Sequence, residues 1–260
     1  MGQNCTCNCD KGSGEKVIQV NKENGKSQSS KKPAEASTAP LKVAKVDLEG
    51  GGVYDGSWLG TEKHGDGNLS LPDGTRFEGQ FVHDKKHGSG TYTYPNGSTY
   101  MGEWENDLQN GHGEERWPDG SVFEGDFKDG EKHGEGTFRW ANQCTYQGQF
   151  SSNDMDGVGT YRWSDGRGYE GRWERNRMGP CGRMWWPDGR VYNGEFSEGQ
   201  KHGTGELRWP DGRSYNGQWM DGKQHGVGVV STAKGTRRRS NWADGHFVKW
   251  LADDEEVSSA

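Results

Sequence analysis

One aromatic position recurs every 23 residues without a slip: Tyr54, Phe77, Tyr100, Phe123, Tyr146, Tyr169, Tyr192 and Tyr215. A fixed period of this size marks a repeat array, in which each unit buries its apolar face against its neighbours. The copy at 192–214, YNGEFSEGQKHGTGELRWPDGRS, shows the pattern most plainly. Residues two apart in a strand face the same way. Tyr192, Gly194 and Phe196 therefore share a face, as do Gly205, Leu207 and Trp209, while Asn193, Glu195, Glu206 and Arg208 face the other. Each unit reads as two short, half-buried strands. A Gly inside a strand marks a close approach, and the expected occupant is a ring from the neighbouring strand lying over bare backbone. Ser197 to Gly203 reads as the loop between the strands. Trp209-Pro210-Asp211-Gly212 reads as a hairpin turn, with φ > 0 expected at both Asp and Gly.

The pattern Tyr-x-Gly-x-Phe/Trp, then Gly-x-x-His-Gly-x-Gly, then Asp-Gly resembles the MORN repeat (membrane occupation and recognition nexus). The resemblance covers eight consecutive copies over residues 54–237. It implies an all-β fold: a single-layer, twisted antiparallel sheet that grows hairpin by hairpin and serves mostly as a scaffold. The expected repeat core is a set of aromatic pairs: Tyr54 with Trp58, Phe77 with Phe81, Tyr100 with Trp104, Phe123 with Phe127, Tyr146 with Phe150, Tyr169 with Trp173, Tyr192 with Phe196 and Tyr215 with Trp219. The resemblance also implies an antiparallel homodimer through the array.

Composition agrees with a thin fold. Hydrophobic residues make up 28% of the 260, with 44 Gly and 12 Trp. That is little aliphatic material for a central core but enough for a stack of rings between neighbouring units. Some 16 strands at about 4.8 Å each make a rod on the order of 75 Å long. No apolar run approaches the roughly 20 residues of a membrane span.

The opening MGQNCTCNCDKG fits the M-G-x-x-x-[ST] pattern for N-myristoylation on Gly2. Cys5, Cys7 and Cys9 follow where palmitoylation would supply the second chain that stable anchoring needs, since one myristoyl group binds membranes only marginally. The alternative is an unmodified N-terminus. Cys-x-Cys-x-Cys lacks the spacing and second pair of a structural zinc site, and Cys144 and Cys181 complete none. No secretory segment is present, so disulfides are not expected. Residues 1–10 are thus an acylation segment and 11–50 a Lys/Ser-rich disordered tether. The tether's spread lysines are compatible either with weak attraction to an anionic leaflet or with a plain linker.

After residue 50 the balance is 24 basic against 33 acidic residues. A net charge of −9 is a poor match for nucleic acid or anionic lipid, so neither nucleic-acid binding nor direct binding of phosphoinositide headgroups is expected of the repeats. Arg116, Arg139, Arg162, Arg183 and Arg208 are expected to form a ladder on the outward face. Acids on adjacent first strands, such as Glu103, Asp126 and Glu195, are expected to pair with it; left unpaired, it would be a cationic strip. His64, His87, His133, His202 and His225 recur at one repeat position. Copies two strands apart lie about 10 Å from one another, too far to share a metal ion, so loop-closing hydrogen bonds are their expected role. The altered loop Met178-Gly179-Pro180-Cys181 marks a bend or a partner contact.

Gly166 to Gly171 formally matches G-x-G-x-x-G, but its first Gly is a hairpin turn and its last a strand Gly, so the dinucleotide context is missing. No catalytic motif appears, and no segment outside the repeats is long enough for a catalytic domain. The expectation is no enzyme, no cofactor and no metal. Residues 51–237 form the array, and 238–260 a degenerate capping repeat with an acidic tail. The leading functional expectation is a membrane-associated scaffold on a cytoplasmic membrane face, plasma or ciliary, that recruits protein partners. The alternatives are a structural component of a cilium or the cytoskeleton, like radial spoke head proteins, and a regulatory subunit of a separate phosphatidylinositol phosphate kinase.

Overall fold

The computed structural model describes residues 41–252. Gly2, Cys5, Cys7 and Cys9, most of the expected tether and the tail 253–260 lie outside the described residues. Among the described residues, nineteen strands, numbered in chain order, form one sheet in which each strand pairs antiparallel with the next. They begin with β1 (Lys42–Asp47), β2 (Val53–Leu59) and β3 (Glu62–Ser70), and end with β18 (Arg237–Ala243) and β19 (His246–Trp250).

Tyr54, Phe77, Tyr100, Phe123, Tyr146, Tyr169, Tyr192 and Tyr215 are at most 1% exposed. Each sits edge-on to the ring four residues on in its own strand and to the equivalent ring of the next repeat. Tyr54 meets Trp58 at 5.0 Å and Phe81 at 5.2 Å; Tyr192 meets Phe196 at 5.2 Å and Trp219 at 5.3 Å. Phe127 shows both contacts from the other side, lying 5.3 Å from Phe123 of its own strand and 4.9 Å from Tyr100 of the repeat before. Edge-to-face pairs at these distances match the ring quadrupoles. Phe81, Trp104, Phe127, Phe150, Trp173, Phe196 and Trp219 are accordingly buried. Trp58 departs from the expected core: it is only half-buried, because no ring of an earlier repeat covers it, and its Nε1 donates to the Ala44 carbonyl of β1.

The leading rings lie over glycine pairs, as the pleat predicts. A Cβ on Gly205 would stand 2.3 Å from the Tyr192 hydroxyl, and one on Gly194 only 2.5 Å from the Cα of Gly205. The six leading tyrosines also donate to a backbone carbonyl three residues on, as Tyr192 does to Glu195 at 2.9 Å.

Three further expectations change. First, Ser197 to Gly203 is not a loop. The strands β14 (Val191–Ser197) and β15 (Gln200–Arg208) are joined by the two-residue turn Glu198-Gly199, with φ of 49° and 76°. Two positive φ angles are what a type I′ turn needs to follow strand twist. The remaining extra residues are absorbed as a bulge: Gly194 faces Gly205, but Glu195 faces His202. Gly203 sits in it at φ 57°. Second, the Asp-Gly turn is the other kind. Gly212 donates to the Trp209 carbonyl and has φ 87°, while Asp211 is not among the positive-φ residues. Asp211 Oδ1 instead accepts the Arg213 amide at 3.0 Å, an Asx turn. Third, part of the stretch expected to be tether is strand instead: β1 pairs with β2 along six residues, from Lys42↔Trp58 to Asp47↔Val53.

The I′ turns also clasp one hairpin to the next. Asp84 donates its amide to the Lys63 carbonyl and accepts the Lys63 amide on Oδ1, at 3.0 and 2.9 Å. Asp107 does the same with Lys86, and Asn153 with Lys132. At the far end the leading aromatic is replaced by Arg238, which stacks on Trp250 at 4.3 Å. With that ring gone, a side chain fits where glycine was required: Ser240 is fully buried and links Trp242 Nε1 to the Gly228 carbonyl. Trp242 extends the ring row to Phe247 of β19.

Candidate functional site

The two faces of the sheet differ in chemistry. On the outward face the expected acid–arginine ladder is rearranged. Glu103 and Glu195 do not pair with arginine; their carboxylates accept the bulge amides of His112 and Thr204 at 3.1 and 3.0 Å. Asp126 lies 3.3 Å from His112. The arginines meet other acids: Glu114 beside Arg116, Glu124 beside Arg139, Glu170 beside Arg183 and Glu206 beside Arg208. Arg183 is out of step with the ladder. The place pairing with the start of the next strand belongs to Trp185, opposite Val191, as Arg162 stands opposite Gly168 and Arg208 opposite Ser214. The Trp185 indole covers Gly168, where a Cβ would be 1.9 Å away, with Arg162 and Arg183 beside it at 5.1 and 5.6 Å.

The histidine row does not close its loops through the ring as expected. His64 Nδ1 and His225 Nδ1 are buried without a hydrogen-bond partner. Backbone carbonyls carry the closure at two copies, where Tyr192 and Tyr215 donate to His202 and His225 at 3.5 Å. No group of three metal-ligating side chains occurs among the described residues.

The other face is an aromatic groove. Its floor is the ring row of the core. Above the floor stand half-buried rings from the second strands and from the turns that follow them. Trp117, Phe138, Trp140, Tyr161 and Trp163 run in sequence with centroid separations of 5.2, 4.5, 5.2 and 4.8 Å. Trp186 and Trp209 continue the line in later repeats. A second row crosses this one, made by the residue nine positions after each leading aromatic. It reads Lys63, Lys86, Gln109, Lys132, Met155, Met178, Lys201 and Gln224. Its lysines extend over the rings: Lys86 Nζ lies 5.4 Å from Tyr92 and 5.3 Å from Trp104, and Lys132 Nζ lies 5.0 Å from Trp117 and 5.7 Å from Phe127. Sequence reasoning did not single out this row. The signal was an apolar or cationic residue inside what read as a loop, and only its strand placement aims it into the groove.

A family model of the MORN repeat matches eight consecutive stretches: 54–76, 77–99, 100–122, 123–145, 146–166, 169–189, 192–212 and 215–237. The chain belongs to the MORN repeat family. The MORN matches coincide with the 23-residue units, and β1, β18 and β19 extend the sheet beyond them on both sides. No curated relative matches the chain. Among solved structures, the MORN sheet is similar to the TCP10 domain of Danio rerio CPAP, at 12% identity and a TM-score of 0.45, over 80% of this chain and 99% of that one. It is also similar to the TCP domain of Drosophila melanogaster SAS-4 in complex with a proline-rich motif of Ana2, at 14% identity and 0.40, over 58% and 83%. Likeness at this level carries no functional argument. As a MORN array the chain is a repeat scaffold.

Proposed function

We propose that this chain is a membrane-anchored MORN scaffold. Acyl groups on Gly2 and on Cys5, Cys7 and Cys9 hold the N-terminus at a cytoplasmic membrane face, and the array holds protein partners in its aromatic groove. The observation that carries the scaffold reading is the row of half-buried turn and second-strand rings, from Tyr92 and Tyr94 to Trp209, standing above a fully buried core. Large rings that are neither fully packed nor scattered singly supply contact area at small entropic cost, and contiguous apolar surface of this kind marks an interaction face. The anchor reading is supported by the N-terminal sequence, where one acylation pattern and three thiols lie within nine residues. Two chains retain a protein where one does not.

Membrane flotation with intact-mass measurement tests the anchor. The wild-type chain is expected to float and to carry added acyl mass, while Gly2→Ala and a triple variant with Cys5, Cys7 and Cys9 each changed to Ser stay with soluble protein. Equal flotation of all three would assign lipid binding to the array and overturn the anchor. Flotation of none would remove the membrane from the function.

A further inference from the structure

The groove changes character over repeats five to seven. Lys63, Lys86 and Lys132 are neutralised within the chain, by Asp84 at 3.0 Å, Asp107 at 3.2 Å and Glu115 at 2.6 Å. Lys201 is not. Gly222 occupies the turn position that Asp84 and Asp107 hold in their repeats, and no carboxylate pairs with Lys201 among the described residues. Its ammonium lies 4.2 Å from the Trp219 ring and 5.8 Å from both Trp186 and Tyr192. Burial, and then the nearby Arg190, pull its pKa down to about 8. Arg190 is already paired with Asp188 at 2.8 Å, and Lys201, a cation held against rings with no carboxylate of its own, is left short of one ionic partner.

The two preceding members of the same row are Met155 and Met178. Between them the groove opens into a cavity of about 620 Å³, lined by Tyr161, Trp163 and Trp173 with Arg177 and Glu198. Met is flexible and polarisable and suits varied apolar guests. Here it replaces the ammonium that would otherwise repel such a guest. The neighbouring backbone is adapted as well. Gly199 stands where a Cβ would come within 3.3 Å of Met178 Cε, and Pro180 replaces the bulge glycine of the other repeats.

We propose that this part of the groove takes an extended segment of a protein partner carrying an apolar side chain and, three to five residues along, a carboxylate. The apolar side chain enters the cavity between Met155 and Met178, and the carboxylate completes Lys201. Met155 and Met178 lie on the strands either side of β12 (Gly168–Glu174), and Lys201 lies on β15, three strands on from β12. Three strand spacings are about 14 Å, the reach of roughly four extended residues. The inference rests on the array being a protein-binding scaffold and names the chemistry of what it binds.

The test is selection of a displayed random dodecapeptide library on the full-length protein and on two variants. Lys201→Gln installs the residue that Gln109 and Gln224 hold at this row position. The double variant Met155→Lys with Met178→Lys installs that of Lys86 and Lys132, so each replacement is one the fold already accommodates. Near-UV circular dichroism checks tryptophan packing in each. Wild type is expected to enrich an apolar residue with Asp or Glu three to five positions away. Recovery of those peptides should fall at least tenfold on either variant, with Lys201→Gln losing the acid preference and the double variant the apolar one. Peptides retained equally by all three forms would overturn this pocket and leave the scaffold reading standing. No retained peptide on any form would overturn both.

Discussion

At the scale of the residue, the array is governed by which positions tolerate a side chain. Gln143 occupies the turn position that Gly74, Gly97, Gly120 and Gly166 hold elsewhere, and it carries their backbone conformation at φ 68°. A left-handed conformation costs a non-glycine residue roughly 1–2 kcal/mol. Gln143→Gly is therefore expected to stabilise the chain by about 1 kcal/mol, after the added unfolded-state entropy is deducted, read as a higher urea midpoint at unchanged slope. Gly168 poses the opposite case. Repeats with Arg at the place of Trp185 have Thr or Val opposite it, as in Thr99↔Arg116, Val122↔Arg139, Thr145↔Arg162 and Val191↔Arg208, whereas Trp185 lies over Gly168. Gly168→Thr alone should destabilise, and adding Trp185→Arg should recover most of the loss. A double-mutant cycle is expected to give a coupling of about 1–2 kcal/mol; additivity would show that the ring and the glycine are independent. The tyrosines set the alkaline limit. Burial pushes Tyr54, Tyr94, Tyr161 and Tyr215 up to about 12, and Tyr100 and Tyr146 higher still. A raised folded pKa gives stability that is complete below the unfolded value near 10 and is lost as pH climbs towards the folded one. Melting temperature should hold to about pH 9.5 and fall steeply by pH 11, and Tyr146→Phe should flatten that fall.

At the scale of the element, each hairpin is held by its own ring pair and bulge, and is joined to the adjacent hairpin by a further ring contact and the I′ clasp. Tyr146→Ala removes a ring from between Phe150 and Trp173 and uncovers Gly159. A loss of about 3–5 kcal/mol is expected for a buried ring. Because the contacts are nearest-neighbour, hydrogen exchange should rise first in the hairpins on either side of Tyr146, while β2 and β3 remain protected. Uniform loss of protection would instead mean that the sheet opens as one unit. The hairpins were legible in the sequence to the extent that they rest on the pleat. The alternation of Tyr192, Gly194 and Phe196, and the ring over glycine, follow from a period of two. The I′ turn was hidden because Glu198-Gly199 sits inside a polar, glycine-rich run, where a tight turn followed by a bulge has the composition of a loop. Strand β1 was hidden because Lys42–Asp47 has no ring of its own and offers its neighbour only backbone groups, the Ala44 carbonyl among them. The partial exposure of Trp58 was hidden with it, since a repeat pattern treats first and middle copies alike. The roles of Glu103 and Glu195 depend on the bulge bringing free amides to their carboxylates. The methionine pair needed the strand register before it could be seen as one end of a groove.

At the scale of the whole molecule, seven identical spacings between eight leading aromatics make the sheet a linear object with two different faces and two ends. Arginines on the outward face stand beside near-neighbour acids, while the groove carries lysines and rings, so the two faces differ in chemistry. Adding a second copy of residues 192–214 directly after residue 214 should lengthen the rod by about 10 Å, two strand spacings, without loss of cooperative unfolding; small-angle scattering would read the change. Adding one residue within β14 should instead unfold the neighbouring repeats, because a one-residue slip turns every side chain to the opposite face. That contrast gives the uniform 23-residue spacing a meaning for ancestry. A lineage of such chains can change length only in whole units, each tolerated at once or not at all. The distance between one edge of the sheet and any given repeat is then inherited in discrete steps, like the marks on a ruler.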